Sequence, residues 1–282
     1  MVAPTPRRTE SHFTGADGLL LMRRAWLPER VERVMVLVHG FAEHSGRYED
    51  MACWFLERGV AVHAYDQRGH GRSGGTRCHV GRFSEFLDDL ACLLEIVGEE
   101  HPGVPVTLVG HSMGGLITAA FLADRQPALS SAVTSGATLA LGDDVSALRI
   151  AASKLLSRLL PRLPVGSPVD PNGLSRDPAV VRDYIQDPLV YRSMTASLAT
   201  ALVDAVSRTA VRAPEVQVPL LMLHGEADPL CRPSGSRSFF QALESPESDL
   251  VVYPELRHEI FNEPEREQVY QDIWDWLERI SK

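Results

Sequence analysis

The sequence predicts an α/β fold, with a mostly parallel central sheet, helices on both faces and a helical cap inserted above one edge. Strand-like apolar segments alternate with helical patterns up to about residue 138 and again from residue 218. Such alternation is typical of a parallel sheet that is covered on both sides. The alternation stops between residues 139 and 212. A Gly-x-Ser-x-Gly motif also separates one predicted strand from the helix after it, which is typical of a sharp strand-to-helix turn.

The predicted elements follow one another along the chain. Residues 11–26 are predicted to form an edge hairpin that turns at residues 15–18. Short apolar runs predict further strands at residues 34–38, 60–65, 106–109, 132–135, 220–223 and 250–253. Helical periodicity predicts helices at residues 48–58, 83–97 and 116–123, and another after residue 258.

The interrupted segment predicts an insertion rather than a second domain. We expect residues 1–138 and 213–282 to form the core and residues 139–212 to form the cap, so that the chain is effectively one domain. The cap segment contains helical patterns and a proline-rich stretch at residues 161–171, but no convincing strand. A chain of 282 residues can bury roughly three quarters of its unfolded surface, which is enough for one large core.

Composition and charge argue against several classes of protein. The net charge of −9 disfavours nucleic acid as a partner. No apolar stretch reaches the ~18 residues of a membrane span, and the N-terminal segment lacks the apolar centre of a signal peptide. A cytoplasmic location is therefore expected. The cysteines are scattered without a Cys-x-x-Cys pair, which predicts reduced thiols and no metal site, and they are Cys53, Cys78, Cys92 and Cys231.

Ser112 is the predicted nucleophile. An apolar run ends in Gly110-His-Ser112-Met-Gly114, and a helical pattern follows at once. The two glycines leave out side chains that would clash where strand and helix converge, and the helix N-terminus directs its free N–H groups at the serine. The same pattern occurs around Ser73, but no strand leads directly into it and no helix follows. Context therefore selects Ser112.

A serine hydroxyl needs a base, and the base needs an orienting acid. In folds with this strand-to-helix turn the order along the chain is Ser, then Asp or Glu, then His. Asp228 follows the predicted strand at residues 220–223 and is the expected acid, with Glu226 on the same turn as the alternative. His258 is the only histidine after Asp228, and it is the predicted base.

Two main-chain N–H groups are expected to bind the developing negative charge. The predicted strand at residues 34–38 ends in His39-Gly40-Phe41. One donor comes from the loop after such a strand and the other from the residue after the nucleophile. We assign these donors to Phe41 and Met113, which act through the main chain.

The cap contains a basic, apolar segment. Four cations and no carboxylate lie between residues 145 and 165, and these are Arg149, Lys154, Arg158 and Arg162. One helical stripe combines Leu148, Ala152, Leu155, Leu156 and Leu159. This pattern suits peripheral contact with a lipid surface, either a membrane or a lipid droplet. The alternative is that the stripe packs against the body of the protein.

The chain resembles the monoacylglycerol lipase family of α/β-hydrolases, particularly its bacterial members, from about residue 13 to residue 277. The most specific motif is His39-Gly-Phe-Ala-Glu-His-Ser-Gly-Arg-Tyr48. The resemblance also covers the blocks at residues 66–73, 110–115, 187–190, 224–228 and 258–259. Ala42 departs from the pattern, since many relatives have glycine there.

The resemblance implies an apolar acyl tunnel beneath the cap and a small polar pocket for glycerol. Glu43, Arg47 and His111 fall at positions that build or buttress that pocket in the family, and Tyr184 matches a cap tyrosine that faces the alcohol. Glu43 and Arg47 are four residues apart and could instead pair locally. His111 could instead only buttress the turn at Ser112. Asp66 and Arg68 are interpreted as a structural corner.

The expected function is cleavage of monoacylglycerols to fatty acid and glycerol by a cytoplasmic or peripherally membrane-associated serine esterase, without cofactor or metal. Alternatives with the same triad are a lysophospholipase, a general carboxylesterase, an acyltransferase and a cofactor-free perhydrolase. A non-catalytic binding module on the same fold is the alternative of another class. Such modules usually lack a triad member, whereas this chain retains all three in order. The sequence does not specify an oligomeric state.

Overall fold

The computed structural model describes residues 7–141, 147–166 and 169–282, with only the main chain for residues 147–152. Its strands are β1 (Arg7–Thr14), β2 (Leu20–Leu27), β3 (Arg33–Val38), β4 (Val60–Tyr65), β5 (Val106–His111), β6 (Ser131–Ser135), β7 (Pro164–Gly166), β8 (Ser193–Thr195), β9 (Leu220–Gly225) and β10 (Asp249–Tyr253). Its helices are α1 (Glu49–Leu56), α2 (Ser84–Glu100), α3 (Met113–Arg125), α4 (Ala147–Leu159), α5 (Pro178–Gln186), α6 (Ala196–Ala210), α7 (Pro233–Gln241) and α8 (Arg266–Ile280).

The central sheet has eight strands in the order β1-β2-β4-β3-β5-β6-β9-β10. The six strands from β4 to β10 in this order pair in parallel, while β1 and β2 form the predicted antiparallel hairpin at one edge. The predicted mostly parallel α/β fold is therefore confirmed.

The strand order reverses at β3, because the chain runs outward from β3 to β4 and then returns to place β5 on the other side. Ligands in open α/β sheets bind where the order reverses, beyond the carboxyl ends of the strands. The loops after β3 and β5 therefore diverge around a natural cleft. These loops contain residues 39–48 and Ser112.

Both faces of the sheet are buried. Within β3, Val34, Val36 and Val38 pack on the side of α2 and α3, and Met35 and Leu37 pack on the side of α1 and α8. Alternate residues of a strand point to opposite faces, so an apolar residue at each of these positions suits a sheet covered on both sides. This packing fixes the carboxyl ends of the strands, where the candidate site lies.

The elements between β6 and β9 include α4, α5 and α6, as the helical patterns predicted. The prediction that residues 139–212 contain no strand is wrong, because β7 and β8 pair antiparallel with Val165 opposite Met194. Each of these strands has only three residues and β7 begins with proline, so neither gives a period-two pattern. The division into core and cap stays a prediction.

No helix among residues 7–141, 147–166 and 169–282 combines the length and apolar character that crossing a membrane requires.

Candidate active site

Ser112 occupies the turn between β5 and α3. Its backbone has φ 55° and ψ −115°, a conformation that costs energy for a residue with a Cβ atom. The two flanking glycines explain how the turn is accommodated. A Cβ on Gly110 would lie 2.3 Å from Gly114 O, and one on Gly114 would lie 2.0 Å from Val38 O. The predicted tight approach of strand and helix is therefore present.

Asp228 and His258 meet beside this turn. His258 Nδ1 lies 2.7 Å from Asp228 Oδ2, and both residues are buried. Burial alone would lower the pKa of His258, but the charge and hydrogen bond of Asp228 outweigh it and raise the pKa above its usual value. Burial alone would raise the pKa of Asp228, but the His258 charge and the hydrogen bonds from its neighbours hold it well below its usual value.

Asp228 is fixed by contacts that the sequence motifs do not indicate. The N–H groups of Leu230 and Cys231 donate to Asp228 Oδ1 at 2.8 and 2.9 Å. His224 Nε2 lies 3.2 Å from Asp228 Oδ2. Oδ1 of Asp228 therefore accepts from the backbone, while Oδ2 lies between His224 and His258.

Ser112 and His258 line the same two cavities. No hydrogen bond joins their side chains within the part of the chain that the structure describes. Cys231 lines the larger of these cavities beside Ser112, and burial raises the pKa of its thiol to about 12. A thiol with this pKa stays protonated near neutral pH. Cys231 was not predicted as a neighbour of Ser112, although it lies only three residues after Asp228.

The two assigned oxyanion donors lie near Ser112. Phe41 and Met113 both line the larger cavity together with Ser112. Within residues 7–141, 147–166 and 169–282, neither main-chain N–H has a protein acceptor. These two N–H groups are therefore free to bind an oxyanion.

Ala42, next to Phe41, has φ 68°, in the left-handed region where a Cβ atom costs roughly 1–2 kcal/mol. This explains why the glycine of many relatives suits the position. The strained conformation is held by the segment that follows α5, since Tyr191 N–H donates to Ala42 O at 3.0 Å. A second hydrogen bond joins His44 Nε2 and Asp187 Oδ2 at 2.8 Å. These two hydrogen bonds connect the loop after β3, which contains Phe41, to the segment that follows α5.

The larger cavity has a volume of about 380 Å³ and is mainly apolar. Its walls come from the loops of the sheet and from β7, β8 and α6, and they include Val165, Met194, Ala199, Leu202 and Val206. Ser112 and His258 also line this cavity, and its use as an acyl tunnel stays a prediction.

A small polar cavity of about 20 Å³ lies on the other side of Ser112. Glu43, His111 and Tyr184, three of the four residues assigned to the alcohol pocket, line this cavity. Burial and the neighbouring His258 charge lower the pKa of His111 to about 4, so this ring is neutral near pH 7. Its Nδ1 lies 3.2 Å from Ser135 Oγ.

Arg47 does not line this small cavity but lies behind it. Its guanidinium pairs with Glu43 at 2.9 Å, as local pairing predicted, and with Glu259 at 2.6 Å. It also lies over the ring of Tyr184, 4.9 Å from the centroid. Glu259 lines the cavity and was not among the predicted site residues. Its position directly after the predicted base is the sequence signal that could have identified it.

The alternative candidates lie elsewhere. Glu226 pairs with Arg237 at the surface, whereas Asp228 contacts His258. Ser73 is buried and donates to the main-chain oxygen of Asp66. The carboxylate of Asp66 accepts from the N–H groups of Ser45 and Arg72 at 2.9 and 2.8 Å.

Arg68 is buried and pairs with Asp89 through two hydrogen bonds of 2.7 and 2.8 Å. Asp17 and Glu85 also contact its guanidinium, at 3.0 and 2.7 Å. Arg68 thus joins the β1–β2 turn to α2, which fits the interpretation as a structural corner.

One group of side chains has the spacing of a metal site, and it lies away from Ser112. His63, Glu100 and His101 have ligand atoms within 4.8 Å of one another. Arg23, a donor only, contacts His63 Nδ1 at 3.2 Å, so the His63 proton lies on Nε2 and faces His101 at 2.9 Å. A metal would need this Nε2 unprotonated. The four cysteines are free thiols.

The fold and the site define a serine hydrolase of the α/β-hydrolase class. The sheet order, the strained turn at Ser112 and the Asp228–His258 contact together give the features of this class. Because the chain retains all of them, it is an enzyme of this class rather than a binding module.

Comparison with known proteins narrows the class to a family. The family model described as "Serine aminopeptidase, S33" matches residues 29–265. A monoacylglycerol lipase of Mycolicibacterium smegmatis is 40% identical, over 98% of this chain and 99% of that protein. Human monoglyceride lipase is 34% identical, over 97% of this chain and 94% of that protein.

A solved structure agrees with these relatives. The crystal structure of Paleococcus ferrophilus monoacylglycerol lipase has a TM-score of 0.84 and 32% identity, and the match covers 93% of this chain and 98% of that one. The chain belongs to the monoacylglycerol lipase family of α/β-hydrolases. The resemblance inferred from the sequence motifs is therefore confirmed.

Proposed function

We propose that this protein hydrolyses monoacylglycerols to a fatty acid and glycerol through an acyl-enzyme on Ser112. The observation that carries the proposal is the position of Ser112 and His258 between an apolar cavity of about 380 Å³ and a polar cavity of about 20 Å³. An ester placed with its carbonyl at Ser112 has its acyl chain in the first cavity and its alcohol at the second.

In this mechanism Ser112 attacks the ester carbonyl, and His258 Nε2 accepts the hydroxyl proton. The hydroxyl and the imidazole line the same cavities, and catalytic hydrogen bonds of this kind often form fully only when substrate binds. Asp228 holds the proton of His258 on Nδ1 and stabilises the imidazolium. The N–H groups of Phe41 and Met113 bind the oxyanion, and one such donor is typically worth about 100- to 1,000-fold in turnover.

The alcohol leaves after His258 returns the proton to its oxygen. Water then takes the vacated position, loses a proton to the same imidazole and attacks the acyl carbonyl. The fatty acid is released and Ser112 regains its hydrogen.

The small cavity favours a neutral alcohol. Its charged lining residues are the carboxylates Glu43 and Glu259, and each has about four acceptor sites. Glu43 accepts three hydrogen bonds from protein groups, as does Glu259. The remaining acceptor sites suit alcohol hydroxyls. A phosphate diester would meet like charge, which argues against the lysophospholipase alternative.

The function is tested by comparing initial rates on monoolein, diolein, lysophosphatidylcholine, p-nitrophenyl butyrate and an aminoacyl p-nitroanilide. We expect monoolein to have the highest kcat/KM and lysophosphatidylcholine to be at least about 10-fold poorer, the effect of roughly 1.4 kcal/mol. Equal or faster hydrolysis of lysophosphatidylcholine would replace the proposal by a lysophospholipase. Release of nitroaniline without monoolein hydrolysis would replace it by a peptidase.

The pH dependence of the reaction follows from His258. The ring must be neutral to accept the serine proton, and the Asp228 carboxylate raises its pKa above 6.5. Activity is therefore expected to be full at alkaline pH and to fall as pH decreases through a value above 6.5. The pH profile of kcat/KM for p-nitrophenyl butyrate measures this decrease, which is called the acid limb below. An acid limb with its midpoint clearly below the pKa of free imidazole would contradict the assignment of His258 as the base.

We also propose peripheral contact with a lipid surface through the C-terminal half of α4 and the turn after it. Leu155, Leu159 and Leu160 are 60%, 70% and 53% exposed, so these leucines are not packed against the body. Arg158 and Arg162 have no ion pair among the residues that the structure describes. Two other members of the predicted segment do not add to this surface, because Lys154 pairs with Asp204 at 2.8 Å and Leu156 is half-buried. Leu148, Arg149 and Ala152 have side chains outside the description.

A double substitution of Leu155 and Leu159 by serine is expected to weaken co-sedimentation with anionic vesicles at least about 10-fold. Removing two leucines from a lipid interface forfeits roughly 1.5–3 kcal/mol each when they are fully buried. Val211→Ser is the matched control, because Val211 is 76% exposed and lies after α6. If wild-type protein does not bind such vesicles at low salt, or if Val211→Ser weakens binding equally, this surface is not the contact.

A further inference from the structure

We infer that Glu259 is a positioning residue, which holds Arg47 between two loops and so fixes His258 relative to the loop that supplies one oxyanion donor. The inference rests on the proposed function, because it concerns the same site. Glu259 directly follows His258 in the chain, so any displacement of its side chain acts on the neighbouring backbone.

The first link joins the histidine loop to Arg47. Arg47 Nη1 donates to Glu259 Oε1 at 2.6 Å and Nη2 donates to Oε2 at 2.8 Å. Two parallel bonds between a guanidinium and a carboxylate fix both distance and plane. Asn262 Nδ2 donates to the same Oε2 at 2.9 Å, which holds the carboxylate from the other side.

The second link joins Arg47 to the oxyanion loop. Arg47 Nη1 also donates to Glu43 Oε2 at 2.9 Å. Glu43 Oε1 in turn accepts the Gly40 N–H at 2.6 Å and the Tyr48 hydroxyl at 2.7 Å. Gly40 immediately precedes Phe41, so a continuous series of hydrogen bonds runs from the residue after the base to the residue before an oxyanion donor.

The carboxylates of this series are buried. Burial keeps water away from the hydrogen bonds and strengthens the interactions between the charges. Glu43 and Glu259 are each 3% exposed. Burial would raise the pKa of Glu259, but Arg47 lowers it to about 2. Two carboxylates around one guanidinium leave one uncompensated negative charge beside the active site.

That charge acts on His258. The charges of Asp228, Glu259 and Glu43 favour the imidazolium. The His111 ring, whose centroid lies 4.8 Å from that of His258, is neutral near pH 7 and adds no charge there. Loss of the Glu259 charge therefore favours the neutral ring. Removing the Glu259 charge is therefore expected to shift the acid limb of the pH profile to lower pH. Replacing a residue that only supports the fold would not shift the acid limb in this direction.

The test compares Glu259→Gln with Glu259→Asp. Glu259→Gln removes the charge and one acceptor of the paired bonds, and it is expected to lower kcat on the order of 10- to 100-fold, as small misplacements of reacting groups do. Its acid limb is expected to lie at lower pH than that of wild type. Glu259→Asp keeps the charge but shortens the side chain, so kcat is expected to fall while the acid limb stays in place.

Two substrates separate positioning from direct contact with glycerol. The loss of kcat is expected to be similar on monoolein and on p-nitrophenyl butyrate, because the second has no glycerol. A loss confined to monoolein would overturn the inference in favour of a direct substrate contact. Wild-type kcat and pH profile in both folded variants would overturn it as well.

Asp89→Asn is the matched control, because Asp89 is buried and makes the same type of paired contact with Arg68, on α2. It is expected to lower the melting temperature without moving the acid limb, and an equal displacement of that limb would overturn the inference. If Glu259→Gln does not fold, Glu259→Asp decides through its loss of kcat on both substrates. Absence of Ser112-dependent hydrolysis by wild type is a separate result that rejects the proposed function itself.

Discussion

Replacement of Ser112 by alanine is expected to reduce monoolein turnover about a million-fold, as loss of the nucleophile does in a triad hydrolase. The mutation removes the oxygen that forms the acyl-enzyme and leaves the Cβ atom in place. Because φ is 55° at this position, alanine retains the strain of the turn, whereas glycine would relieve it. Alanine is therefore the variant that isolates the chemistry. Initial rates normalised to folded protein measure the effect.

A fluorophosphonate probe supplies the control for this prediction. It should label wild type and fail to label Ser112→Ala, while circular dichroism shows the same fold for both proteins. Labelling that persists in the variant would mean that another residue is the nucleophile. Ser73→Ala is a second comparison, and its labelling should equal that of wild type.

Replacement of Asp228 by asparagine is expected to lower kcat about 10,000-fold, as the corresponding change does in a triad protease. The hydrogen bonds around Asp228 explain the effect. The N–H groups of Leu230 and Cys231 require an acceptor at Oδ1, so the amide oxygen of asparagine occupies that position. Its NH₂ group then faces His258 Nδ1 and donates to it. The ring proton moves to Nε2, where the Ser112 proton should be accepted.

Glu226→Gln is the control for the acid, because Glu226 lies on the same turn but pairs with Arg237 at the surface. Its kcat and pH profile should match those of wild type. A large loss in Glu226→Gln together with an active Asp228→Asn variant would reverse the assignment of the acid.

The main features of the fold and the three triad candidates could be predicted from sequence because each depends on a local pattern. The strand, the two glycines and the helix around Ser112 are contiguous in the chain. Asp228 follows a strand whose carboxyl end must lie at the same sheet edge, and His258 is the only histidine after it. These residues need no knowledge of side-chain packing to be placed near one another.

The features that were missed depend on contacts between distant segments. Glu259 meets Arg47 across 212 positions of sequence, and no spacing rule relates them. β7 and β8 were missed because three-residue strands carry too little pattern. The proximity of Cys231 to Ser112 follows from the fold of the turn after Asp228, which side-chain type alone does not indicate.

The pairing of β6 with β9 has a consequence for the segment between them. These strands are sheet neighbours, with Ala132 opposite Leu220, although the elements from α4 to α6 separate them in sequence. The entropy of closing such a loop grows only logarithmically, by about 0.6 kcal/mol for each doubling of its length. A longer, shorter or unrelated insert would therefore alter the stability of the sheet little. The segment between β6 and β9 can therefore change in length or sequence while the loops after β9 and β10, which carry Asp228 and His258, keep their places at the sheet edge.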